Sequence, residues 1–137
     1  LFEDGNQANT SKGGLIRLYR FNVKTKKNTA QYGYQLEPIA REPNPKGSFA
    51  VNGVSAIQYY GKNQLLVVER SYSTGTQACT VKVFLCDLKK ATNVKNHPSL
   101  QNQKLETNYC SFLTSAVFIY NSIVAFATRI LHSNCTY

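Results

Sequence analysis

The sequence predicts an all-β chain, an antiparallel meander of short strands followed by an atypical apolar C-terminal tail. Three observations carry that expectation. Strand-like segments dominate the first 110 positions, with period-2 alternation at 13–23. The alternating runs are separated by short clusters of Gly, Asn, Lys and Pro. Helical spacing enters only after residue 107. A meander of this kind closes into a sandwich, a barrel or the blades of a propeller.

The first strand is read in GGLIRLYRFNV (13–23), where Leu15, Arg17, Tyr19 and Phe21 alternate with Ile16, Leu18, Arg20 and Asn22. Gly13-Gly14 marks the turn before it, and KTKK (24–27) reads as a solvated turn after it. QYGYQLEPI (31–39) is a second strand, ended by Pro38. REPNPKGS (41–48) is a loop. Residues 54–60 and 64–70 form two further strands joined by a short hairpin connection at GKN. CTVKVFLCDL (79–88) is another strand, and the polar stretch 89–104 connects onward.

The tail differs in kind. It carries no charge from Thr107 to Thr128, and Leu113, Ala116, Val117, Tyr120, Val124, Ala127 and Leu131 recur at helical spacing. Residues 112–131 are long enough for a membrane anchor, but Thr114, Ser115, Asn121 and Ser122 dilute them. A packed helix or strand is preferred to the anchor, and an aberrant terminus left by a frame slip, read-through or truncation is preferred to both. The expected division is therefore 1–106 and 107–137. The opening Leu1-Phe2-Glu3-Asp4, in a chain without Met, reads as the end of a strand whose start lies upstream, so the chain is expected to be a piece of a longer protein.

The chain has 137 residues, enough for one domain with a core. Sixteen Lys and Arg against seven Asp and Glu give +9, which suits an anionic partner. The charges are scattered and no recognition motif accompanies them, so nucleic acid is not the expected partner. Cys79 and Cys86 lie in one strand, an odd number of residues apart and about 23 Å along it, so they cannot pair with each other. With no CxxC and no zinc-ligand spacing, the cysteines read as small buried hydrophobes, with a Cys110–Cys135 disulfide left open. Two glycosylation sequons occur, NTS at 9–11 and NCT at 134–136.

Nucleophile and phosphate motifs are weak. GVSAI (53–57) lacks the closing Gly of a nucleophile elbow, which demotes Ser55. His97 and His132 stand alone, and SKGG (11–14) is not a phosphate loop. The acids at strand ends are more suggestive. Glu3, Asp4 and Glu69 are oxygen ligands of the type Ca²⁺ takes. Arg70 and Lys12 are bases suited to a phosphate oxygen. Glu69 and Arg70 are also adjacent on one strand, where neighbours face opposite sides of the sheet. The competing reading is an ordinary strand end.

The segment NGVSAIQYYGKNQLLVVERSYSTG (52–75), followed by VKVFLCDLKKATNV (81–94) and preceded by EDG (3–5), GGLIRLYRFNV (13–23) and Tyr34-Gln35-Leu36, resembles the esterase-like phytase family over roughly residues 1–95. The resemblance implies a partial β-propeller of about two blades, in a periplasmic or secreted protein. It implies hydrolysis of phosphate esters, with phytate as the substrate type, or of other esters. Glu69 and Arg70 would be catalytic. Arg70, Asn52 and Lys12 would bind a small anionic ester, and Glu3, Asp4 and Glu69 would hold Ca²⁺. Asn52 and Gly53 match the loop entering the Gly-x-Ser strand, but Ala56 stands where members carry an acid, which weakens a metal site there. The tail also departs from the family's continuation. The isolated chain is expected to be inactive, with the membrane involved only through the tail. The alternative is a non-catalytic β-propeller used for binding or scaffolding.

Overall fold

The computed structural model describes residues 7–76 and 79–100, and the backbone of 109–118. Six strands run β1 (Leu15–Asn22), β2 (Lys27–Gln35), β3 (Ala50–Gly61), β4 (Gln64–Ser73), β5 (Cys79–Asp87) and β6 (Tyr109–Phe118). A single 3₁₀ turn, Leu88–Lys90, follows β5, and no α-helix occurs among the described residues. All pairings are antiparallel. β1 and β2 form a two-stranded sheet, and β3-β4-β5-β6 form an open four-stranded meander in sequence order.

The turns follow local chemistry. Between β3 and β4, Lys62 and Asn63 both take positive φ, 50° and 65°. That is the geometry of a tight two-residue hairpin turn whose twist matches the flanking strands. Between β1 and β2, Asn22 Oδ1 accepts from the Thr25 N–H at 3.0 Å, an Asx turn. Gly13 has a different reason to be glycine. A Cβ there would run into the Leu36 carbonyl oxygen, and the neighbouring Gly14 carbonyl accepts from the Leu36 N–H at 2.7 Å. The entry to β1 and the exit from β2 are pressed together.

The core lies between one face of the β1–β2 hairpin and the inner face of the larger sheet. Leu18, Tyr34, Leu36, Val67, Phe84 and Cys86 form one buried cluster, with Ile16, Tyr32, Val54 and Leu65 packed against it. Burying each large apolar side chain of this group contributes about 1.5–3 kcal/mol. Period 2 fixes who faces inward: on β4, Val67, Glu69, Ser71 and Ser73 are buried while Arg70 and Tyr72 are exposed.

Two readings of the sequence change here. The helical spacing beginning at Leu113, Ala116 and Val117 gives way over Tyr109–Phe118 to a strand paired with β5. A short apolar run satisfies both periods, and an unpaired edge of β5 would leave a row of backbone donors and acceptors open. No helix of the described residues is long and apolar enough to cross a membrane. The anchor read at 112–131 is thus a strand as far as Phe118, and its remainder lies outside the described residues. The cysteines differ as well. Cys86 is disulfide-bonded and wholly buried, whereas Cys79 is free. The reading of all four as small hydrophobes therefore fails at Cys86. The register sets Cys110 opposite Cys86 across β5 and β6, a neighbour that spacing along the chain does not reveal. Cys135 lies outside the described residues.

Candidate functional site

On the inner face of β4, the apolar positions Leu65 and Val67 are followed in the same phase by Glu69, Ser71 and Ser73. The sheet thus turns polar along one row. The row faces the chain leaving β2, and its side chains take the part a neighbouring strand would play. The Glu69 carboxylate accepts from the Glu37 N–H, 3.1 Å to Oε2. Ser71 Oγ accepts from the Ala40 N–H at 3.0 Å. Ser73 Oγ donates to the Arg41 carbonyl at 2.6 Å. The Asn44 N–H then donates to the Thr74 carbonyl at 2.9 Å. Residues 37–41 are fastened to the sheet by side chains because no regular ladder reaches them, and a backbone bond takes over at Asn44.

Glu69 is the centre of this arrangement and is 1% exposed. Besides the Glu37 N–H, its Oε1 accepts from the Tyr34 hydroxyl at 2.7 Å, and its Oε2 accepts from Asn52 Nδ2 at 2.7 Å. The same Nδ2 donates to the Glu37 carbonyl at 2.8 Å. Burying a carboxylate is costly unless donors replace its water, and here three groups do so. Lys82 stands opposite Glu69 in the β4–β5 register, but its Nζ pairs with Glu37 Oε2 at 3.2 Å. Glu37 therefore holds Glu69 by its backbone and Lys82 by its side chain. Asn52 Oδ1 is buried without a hydrogen-bond partner among the described residues.

Burial first, and then the adjacent Glu69, hold the Tyr34 phenol well above its ordinary value of 10.0. The neutral phenol is the form the fold prefers. Its contribution is fully present below the unfolded pKa near 10 and is lost as pH rises beyond it. Above pH 10 the wild-type protein is expected to lose stability by up to about 1.4 kcal/mol per pH unit through this group. Tyr34→Phe removes that part of the slope while costing about 1.5–3 kcal/mol at neutral pH, the range for a hydrogen bond to a charged group. Urea midpoints measured at pH 8 to 11 on both proteins check this.

Arg70 is exposed on the opposite face. Its β3 neighbour in the register is Gly53, where an added Cβ would meet nothing within 4 Å. Arg70 thus has open space beside it on the β3 side, while its β5 neighbour is the buried Val81. Lys12 is exposed, and its N–H donates to Asn9 Oδ1 at 2.7 Å. Of the residues singled out from the sequence, the structure brings Glu69 and Asn52 together. It places Arg70 on the other side of the sheet, and no hydrogen bond or ion pair among the described residues joins Lys12 to the other three. Glu3 and Asp4 lie outside the described residues. Both oxygens of Glu69 are taken by donors, and no group of three metal-ligating side chains occurs among the described residues. Nothing in the geometry at Glu69 fits Ca²⁺, and the calcium expectation is left with Glu3 and Asp4.

Ser55 sits at a register shift of β3, where its hydroxyl donates to the Val68 carbonyl at 3.2 Å. His97 is exposed in a loop. Neither is held by a base or acid partner among the described residues. Sequence reasoning missed Tyr34, Glu37, Ser71, Ser73 and Lys82. The phase of β4 carried a signal for two of them, because Ser71 and Ser73 continue the inward positions of Leu65 and Val67.

Compared with known proteins, residues 1–116 match the model of the family described as "Phytase-like: Esterase-like activity of phytase". No curated protein and no solved structure matches the chain.

Proposed function

The chain belongs to the phytase-like family, and on that premise we propose that it contributes to an exported hydrolase of phosphate esters, with phytate-type polyanions as substrates and other esters as a wider class. The family match, which takes in every described strand up to Ala116, is the observation that carries this reading. We take the open four-stranded antiparallel meander as a propeller blade, and the two sheets as parts of about two blades. A net charge of +9 favours a polyanionic substrate. The disulfide at Cys86 is consistent with a periplasmic or secreted location.

Within this reading Arg70 is the residue that meets the ester. It is exposed beside the open surface at Gly53, and its planar fork suits phosphate oxygens. Glu69 and Asn52 are positioning residues, fixing the 37–44 segment beneath the sheet, and Lys12 is a second cation for the substrate. Calcium, where the family uses it, would be held through Glu3 and Asp4.

The test is phosphate release by the full-length parent protein from phytate, a chromogenic phosphate ester and a carboxylate ester, with and without Ca²⁺. Arg70→Ala is expected to lower kcat/KM for phosphate esters by about 10- to 100-fold, the worth of a charge-assisted contact, with an unchanged urea midpoint. The burial of Glu69 and its separation from Arg70 favour a second reading, a propeller that binds without turnover. No hydrolysis of any ester, with phytate still bound, would select it.

A further inference from the structure

The sequon at 9–11 is used by nothing described so far, and its geometry is specific. Asn9 Oδ1 accepts from the Ser11 N–H at 2.9 Å and the Lys12 N–H at 2.7 Å. It also accepts from the Ser11 hydroxyl at 2.9 Å. Two backbone N–H groups aimed at one amide atom identify that atom as the oxygen. Nδ2 is then left without a partner among the described residues. Asn9 and Ser11 are both exposed. The turn is held at its base, since the Asn9 N–H donates to the Lys12 carbonyl and the Asn9 carbonyl accepts from the Ile39 N–H, both at 2.8 Å. The hydroxyl that the sequon requires is thus already on the amide oxygen of the asparagine it serves, drawing electron density from the amide. An independent observation points to the compartment where such a modification occurs: Cys86 is disulfide-bonded, as expected where the environment is oxidising.

We propose that Asn9 is an N-glycosylation site, acting as acceptor for an oligosaccharide carried on a polyprenyl diphosphate. The Asn9 Nδ2 nitrogen forms a bond to the anomeric carbon of the sugar. The bond from that carbon to the diphosphate oxygen breaks, and the lipid diphosphate leaves with its electron pair. One amide proton is lost to base, and nothing is oxidised or reduced. The glycan stands on the solvent side of the turn that leads into β1.

The test is secretion of the full chain from a eukaryotic host, followed by an amide-specific glycosidase. Wild-type protein is expected to gain mobility and to carry Asp at position 9 by mass spectrometry. Asn9→Asp keeps the acceptor oxygen and removes the amide nitrogen, so it is expected to fold with an unchanged urea midpoint and carry no glycan at residue 9. Ser11→Ala is expected to lose the glycan as well, and Ser11→Thr to retain it. Asn134→Gln removes the second sequon and is expected to leave the residue 9 glycan in place. Secreted, disulfide-bonded protein with an unmodified Asn9, or with a glycan on Asn134 alone, would overturn the proposal.

Discussion

Glu69→Ala is expected to destabilise the protein by about 3–5 kcal/mol, because three buried neutral donors lose their acceptor together. The substitution strands three donors at once: the Tyr34 hydroxyl, the Glu37 N–H and Asn52 Nδ2. Each buried donor left unmet costs about 1–3 kcal/mol before relaxation. The urea midpoint should fall with little change in m. Limited proteolysis should begin within residues 37–44, because that segment lies against side chains rather than in a ladder. Glu69→Gln is expected to cost less, about 1–3 kcal/mol. It keeps a carbonyl acceptor but turns an NH₂ toward groups that are themselves donors. Ser71→Ala and Ser73→Ala remove single contacts to Ala40 and Arg41 and are expected at about 1 kcal/mol each. A Glu69→Ala protein within about 1 kcal/mol of wild type would show that the network does not hold the segment.

Loss of the disulfide at Cys86 is the second large effect. Cys86 is wholly buried in the cluster of Leu18, Tyr34, Leu36, Val67 and Phe84. Cys86→Ser removes the crosslink and leaves a hydroxyl in an apolar site, and a loss of about 2–4 kcal/mol is expected. A reducing agent should lower the wild-type midpoint by a similar amount and leave the Cys86→Ser midpoint unchanged. Cys79 is free, so Cys79→Ser serves as the control, with an expected change within about 0.5 kcal/mol. A wild-type midpoint indifferent to reduction would remove the disulfide from the account, and with it one support for an exported protein.

Much of the sheet order was legible because period 2 and turn chemistry are local. The alternation over 13–23 and the GKN connection placed β1 and the β3–β4 hairpin within a few residues of their observed bounds. The tail was not legible, since Tyr109–Phe118 satisfies a helical count while the open edge of β5 selects a strand. The register that sets Cys110 opposite Cys86 was not legible either, since spacing along the chain does not encode it. The site was legible only in part. Glu69 and Asn52 were marked by type and prove to be bonded neighbours, but Glu69 was expected as a metal-binding or catalytic acid at a strand end and is a buried acceptor. Its strand position predicted that it and Arg70 would face opposite ways. What sequence did not show is that the inward side of β4 at Glu69 is covered by the 37–44 segment and by Tyr34. That cover turns a candidate ligand into an anchor and leaves Arg70 as the exposed member of the pair.

The measurement that tests the account most directly is phosphate release from phytate by the full-length parent, wild type beside Arg70→Ala, with the folding of both verified by urea unfolding. Turnover by the wild type and a loss of about 10- to 100-fold in kcat/KM for a fully folded Arg70→Ala are expected. Absence of turnover in the wild type, or equal turnover in the two proteins, would contradict that expectation.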